Sequence, residues 1–115
     1  MTIVNLTLHT LTVVVNGEVI LEVPASGNVA RCAQTTNIGA PVVVNGLEIP
    51  TGSNVFGEIE GLPNAVPDTL YFVSALVAQA AWAQGRNDVV CPLIAVRDDQ
   101  GRVIGTSGLA TNPAA

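Results

Sequence analysis

Charge is scarce in this sequence. Of its 115 residues, 11% are Asp, Glu, Lys or Arg, against roughly 25% in an average globular chain. Lysine is absent: the cations are Arg31, Arg86, Arg97 and Arg102, and the net charge is −5. Four scattered cations on an acidic chain give no positive footprint for a phosphate backbone, so nucleic acid is excluded as a partner. The only cysteines, Cys32 and Cys91, lie in apolar runs with no CxxC and no Cys/His cluster, which excludes a zinc site. Two buried thiols are the economical reading, and a disulfide between them stays open. No GxSxG elbow, P-loop, HExxH or GxGxxG occurs. With one histidine, any serine triad would have to use His9, and no serine context recommends it. Glu58 and Glu60 stand two apart, but nothing marks the apolar pocket that an acid/base pair requires. The expectation is a protein without catalytic residues, metal or cofactor.

Long apolar runs are also missing. None approaches a membrane span, and no basic segment followed by an apolar core opens the chain, so a cytoplasmic protein with no membrane partner is expected. What is abundant is aliphatic: 49% of residues are hydrophobic. With so few charges to cover the surface, some apolar area needs a partner, and a homo-oligomer supplies one most simply.

Turn chemistry organises the chain. Asn16-Gly17 and Asn45-Gly46 each separate β-rich runs, and Asn-Gly suits the positive φ angles of a type I′ hairpin turn. "PASGN" leads to a third strand over 29–35. The stretch 50–68 is rich in Gly and Pro and reads as a loop, with one short strand at "VFGEIE" and a use in binding a ligand or partner. Over 69–85, "LYFV" is strand-like and an Ala-rich helix of about 74–84 follows, with Val73, Leu76, Val77 and Ala80 on one face and Gly85 as its stop. "VVCPLIAV-RDDQG-RVIGTSG" reads as a further hairpin. The fold class is therefore α+β: mostly antiparallel sheet built from hairpins, with one helix packed on it. A single domain over 1–108 and a flexible tail over 109–115 are expected.

Binding without chemistry needs a concave apolar surface and a few fixed polar groups. Asn5, Thr7 and His9 stand two apart near the start, Arg31 and Arg97 offer planar cations, and Tyr71 is the only phenol. These six are the candidate ligand-binding residues. The row at the start is not a flat strand, however. Apolar residues are even-numbered up to Leu8 and odd-numbered from Leu11, so a bulge or bend must fall at His9–Thr10.

"VNLTLHTLTVV", "VPASGNVAR", "GEIEGLP", "TLYFVSALVAQAA" and "VRDDQGRVIG" together resemble a family of small proteins encoded in phage genomes and bacterial prophages. Its members open on Asn-Leu-Thr-Pro-His. The likeness runs in order over about 4–105, and departs at Leu8, where a proline is usual. The resemblance implies a phage setting and the cytoplasm of an infected bacterial host. It implies an anti-defence protein that sequesters a nucleotide-derived immune signal, such as a cyclic ADP-ribose isomer or a cyclic oligonucleotide. The alternatives are a virion or assembly accessory, and an inhibitor that binds a host defence protein through the 50–68 stretch.

Overall fold

Both Asn-Gly pairs form their hairpins. The computed structural model describes residues 1–114, with Phe56 described by its backbone alone. Asn16 and Gly17 have φ of 53° and 80°, Asn45 and Gly46 of 53° and 77°, the signature of type I′ turns. The first joins β2 (Leu11–Val15) to β3 (Glu18–Val23); the second joins β5 (Val42–Val44) to β6 (Leu47–Ile49).

The body holds two four-stranded sheets. In the first the order is β1 (Thr2–Asn5), β8 (Thr69–Phe72), β9 (Val89–Pro92) and β12 (Leu109–Ala110). The second runs β10 (Ala95–Arg97), β11 (Val103–Thr106), β2, β3. The protein is thus mostly β with one short helix and several antiparallel hairpins, but its first sheet is mixed, with β12 alone antiparallel to its neighbour, β9. β1 pairs β8 and β8 pairs β9 in parallel. Parallel neighbours need a crossover, and α1 (Ala75–Ala83) provides it between β8 and β9.

Ser74 caps this helix through its side chain, and Gly85 follows the C-cap with φ of 85°. Its buried residues are Val77, Ala78 and Ala81. Leu76, expected on the inner face, is exposed instead. The helix is apolar nearly all round, so periodicity does not single out a face; the two buried alanines let the backbone approach the sheet closely. Trp82 packs against the same core, and its indole N–H donates to the Val89 carbonyl at 2.8 Å.

The core divides between two clusters. Leu6, Tyr71, Val73, Val77, Val89 and Cys91 belong to the larger, under α1. Leu11, Val13, Phe72 and Val90 form the smaller, between the two sheets. Cys32 and Cys91 are both free thiols, and burial pushes the Cys91 thiol up.

Two stretches depart from expectation. The 50–68 segment is no loop at its start: β7 (Gly52–Glu60) is a nine-residue strand, antiparallel to β4 (Arg31–Ile38). Its first glycine marks close approach rather than a turn. A Cβ at Gly52 would stand 2.7 Å from the Asn37 carbonyl oxygen, so no larger residue fits there. The tail expected to be loose from 109 instead contributes β12. Beyond it Asn112 is buried, its amide donating to the Asn87 side-chain oxygen at 2.9 Å.

Together β4, β5, β6 and β7 make an arm over 31–60. The two-stranded β4–β7 ribbon carries the β5–β6 hairpin at its end. The chain measures 54 × 39 × 28 Å, with a radius of gyration of 17.6 Å, where about 13–14 Å is typical of a compact domain this long.

Candidate functional site: a cleft at the carboxyl ends of the parallel strands

The site is built around the bend after β1. The first strand ends at Asn5 and the next begins at Leu11, each in a different sheet. Residues 6–10 carry the chain across, as the phase change in the apolar pattern requires. Asn5 holds this crossing together and is 1% exposed. Its amide donates to the carbonyls of His9 at 2.8 Å and Val23 at 2.9 Å. Its side-chain oxygen accepts from the Thr7 N–H at 3.0 Å and the Thr7 hydroxyl at 2.7 Å. Both ends of the amide are consumed in fixing backbone, so Asn5 shapes the bend and presents no polar atom to a cavity.

The bend leaves His9 exposed, and among the described residues its ring makes no hydrogen bond while its carbonyl anchors the turn. Two adjoining hollows meet there. The larger, about 560 Å³, is lined by Thr7, His9, Phe72, Ser74, Val103 and Ile104, among others. The smaller, about 350 Å³, is lined by Leu6, Thr7, Leu8, His9, Arg31 and Ser74, with Val29 and Ala30. Thr7, His9 and Ser74 border both.

Their position follows from topology. Thr7 and His9 come after β1, Val73 and Ser74 directly after β8, and Pro92 ends β9. All three strands run parallel, so their carboxyl ends open on one side, where α/β sheets place ligand crevices. The lining is mostly apolar, with hydroxyl-bearing Thr7, Thr10, Thr12, Ser74 and Thr106, the one histidine, and Arg31 in the smaller hollow. Such a surface suits a flat or apolar ring with an anionic group reaching Arg31. Among the described residues no three of His, Cys, Asp and Glu cluster to hold a metal ion.

Of the six candidates, the structure brings Thr7, His9 and Arg31 together. The other three lie outside both hollows. Asn5 is under the bend. Tyr71 is buried, its hydroxyl donating to the Asn64 carbonyl at 3.2 Å, and so ties the 61–68 segment to the sheet. Arg97 reaches the Gly101 carbonyl at 2.8 Å and clamps the β10–β11 turn. In that turn the Asp98 carboxylate accepts from the backbone of Arg102 and Gln100 and from the Arg102 side chain, and these bonds hold it below the usual carboxylate range.

Arg86 is likewise structural. Its guanidinium grips both Asp88 oxygens at 2.8 Å and the Pro63 carbonyl at 3.0 Å. That hydrogen-bonded pairing holds the Asp88 carboxyl below its ordinary value. Ser74 was missed by residue reasoning. Its signal was local, a serine directly before an Ala-rich helix, which is an N-cap, but only the crossover places that cap beside His9.

No family model, curated protein or solved structure matches the chain. Among the described residues no helix is long and apolar enough to cross a membrane.

Proposed function

We propose that this protein is a phage-encoded anti-defence binder that captures a nucleotide-derived signalling molecule without altering it. The observation that carries the reading is the grouping of Thr7, His9, Ser74 and Arg31 around one largely apolar crevice at the carboxyl ends of parallel strands. The apolar walls accommodate a base, the hydroxyls and imidazole fix its orientation, and Arg31 meets a phosphate. Among the described residues that line the crevice no carboxylate stands beside His9, which favours capture over turnover.

The test is retention. The protein is incubated with cyclic ADP-ribose isomers and cyclic oligonucleotides, freed of unbound ligand, and heated to release what it holds. Recovery of an intact nucleotide, lost in Arg31→Ala and in His9→Ala, is expected. Retention of none by the folded protein, or recovery of a cleaved product, overturns the reading.

A second reading, a virion or assembly accessory, is favoured by a different feature, the uncovered aliphatic residues on the arm. Presence of the protein in purified particles would support it. Inhibition of a host defence protein, with 50–68 as the contact, now rests on β7 of the same arm.

A further inference from the structure

The arm has a sided tip. In the β5–β6 hairpin Val42 stands opposite Ile49 and Val44 opposite Leu47, while Val43 stands opposite Glu48. Residues directly across an antiparallel pair share a face. One face is therefore entirely aliphatic (Val42, Val44, Leu47, Ile49), and the other carries Val43 with the Glu48 carboxylate. The four aliphatic residues are 49%, 47%, 67% and 43% exposed. From Cys32 to Leu47 no residue is charged. Every strand of the arm also keeps one unpaired edge, since β4–β7 and β5–β6 are two-stranded.

Area says how much is left uncovered. The chain exposes 7639 Å², whereas a compact monomer of 11.8 kDa is expected to expose about 5,900 Å². The excess, roughly 1,700 Å², is within the range that each subunit of a permanent homodimer hides, about 1,000–2,500 Å². An isolated arm with an aliphatic face and open edges is also an aggregation hazard unless it is covered.

We infer that the arm over 31–60 is an assembly arm, and that a second copy of this chain covers its aliphatic face. Three features select a copy of itself over other occupants. The face is self-complementary: apposed on its equivalent about a two-fold axis, it brings aliphatic side chains together and keeps both Glu48 carboxylates on the outer faces. The chain is acidic, with a net charge of −5, so copies repel least where no charge stands, as over 32–47. A lipid surface is disfavoured because the arm's open strand edges would leave backbone N–H and C=O groups unsatisfied in hydrocarbon. The inference stands on the arm alone and does not depend on what the crevice binds.

The experiment is sedimentation velocity on the full chain and two variants, with circular dichroism to confirm that each is folded. The wild type is expected to sediment as a dimer or higher assembly. Val44→Lys/Leu47→Lys, which places charge on the aliphatic face, should sediment as a monomer. Val43→Lys, on the opposite face of the same hairpin, should keep the wild-type mass. Replacing Val42–Ile49 by a two-residue Asn-Gly turn serves as the second monomeric variant should the lysine pair not fold. A monomeric wild type, an assembly that persists when the tip is charged or removed, or equal dissociation by Val43→Lys would each overturn the inference. A wild type that is monomeric alone and floats with phosphatidylglycerol vesicles would overturn it in favour of a membrane.

Discussion

The body and the arm are made of the same kind of sequence and do opposite things with it. "TVVVNGEVILEV" and "PVVVNGLEIP" each place a valine run before an Asn-Gly turn. In the first, Val13 is buried, because β2 lies within a sheet whose inner face meets Phe72 and Val90, while Val19, Ile20 and Leu21 of β3 stay exposed. In the second, every residue of both strands is exposed, because among the described residues neither buried cluster of the core reaches them. Hydrophobic pattern specifies a strand and its faces; whether a face is buried depends on what the rest of the chain brings to it.

That contrast can be broken most severely in the body. Leu6→Ala empties a fully buried position in the larger cluster and should cost about 2–5 kcal/mol, read as a lower denaturant midpoint. Leu47→Ala on the arm should change the folding stability of the monomeric form by no more than about 0.5 kcal/mol. Equal losses would mean that the arm is not the exposed element described.

Next comes the bend. Asn5→Ala removes the donors to the Val23 and His9 carbonyls and the acceptor of the Thr7 N–H and should cost roughly 1–3 kcal/mol. It should also weaken ligand retention, although Asn5 touches neither hollow. Retention unchanged in a folded, destabilised Asn5→Ala would show that the bend does not shape the crevice.

The Arg86–Asp88 pair gives a smaller, pH-dependent effect of about 1 kcal/mol for Asp88→Asn at neutral pH. The Asp88 carboxyl titrates lower in the folded protein than in the unfolded chain, so its contribution is present above the unfolded value. It disappears as pH falls through that value and then the folded one. The difference in denaturant midpoint between wild type and Asp88→Asn should therefore shrink on acidification; a gap that stayed constant would assign the loss to something other than the charge pair.

The least change in stability is expected at the rim. Arg31→Ala should leave the thermal midpoint nearly unmoved, as exposed arginines contribute little, while abolishing retention. Arg97→Ala, bound to its own turn, should retain ligand like the wild type. The reverse pattern would move the anion site to the β10–β11 end.

Much of this was legible beforehand for local reasons. Positive-φ turns need Asn-Gly, a helix stop needs Gly85, and a break in period two at His9 demands a bend. The parallel pairing of β1, β8 and β9 was not legible, because short apolar runs look alike whether their neighbours run parallel or antiparallel. The 50–68 stretch misled for a related reason: Gly52 signals a turn by its type, but serves a strand by leaving room for the Asn37 carbonyl. Of the candidate site, Thr7, His9 and Arg31 converge, whereas Asn5, Tyr71 and Arg97 bond to backbone outside both hollows. Residue type advertised the capacity of those three to bond, not which partner would use it.

By itself, the sequence determined the short-range geometry: hairpins, helix, bend, and a surface poor in charge. Those features depend on φ preferences, periodicity and composition, all of which act within a few residues. Only the tertiary structure decided that the bend, the cap at Ser74 and the root of the arm at Arg31 meet around one crevice, and that the arm's valines stay outside. Such meetings depend on which strands pair across long separations, a choice made by the whole core at once.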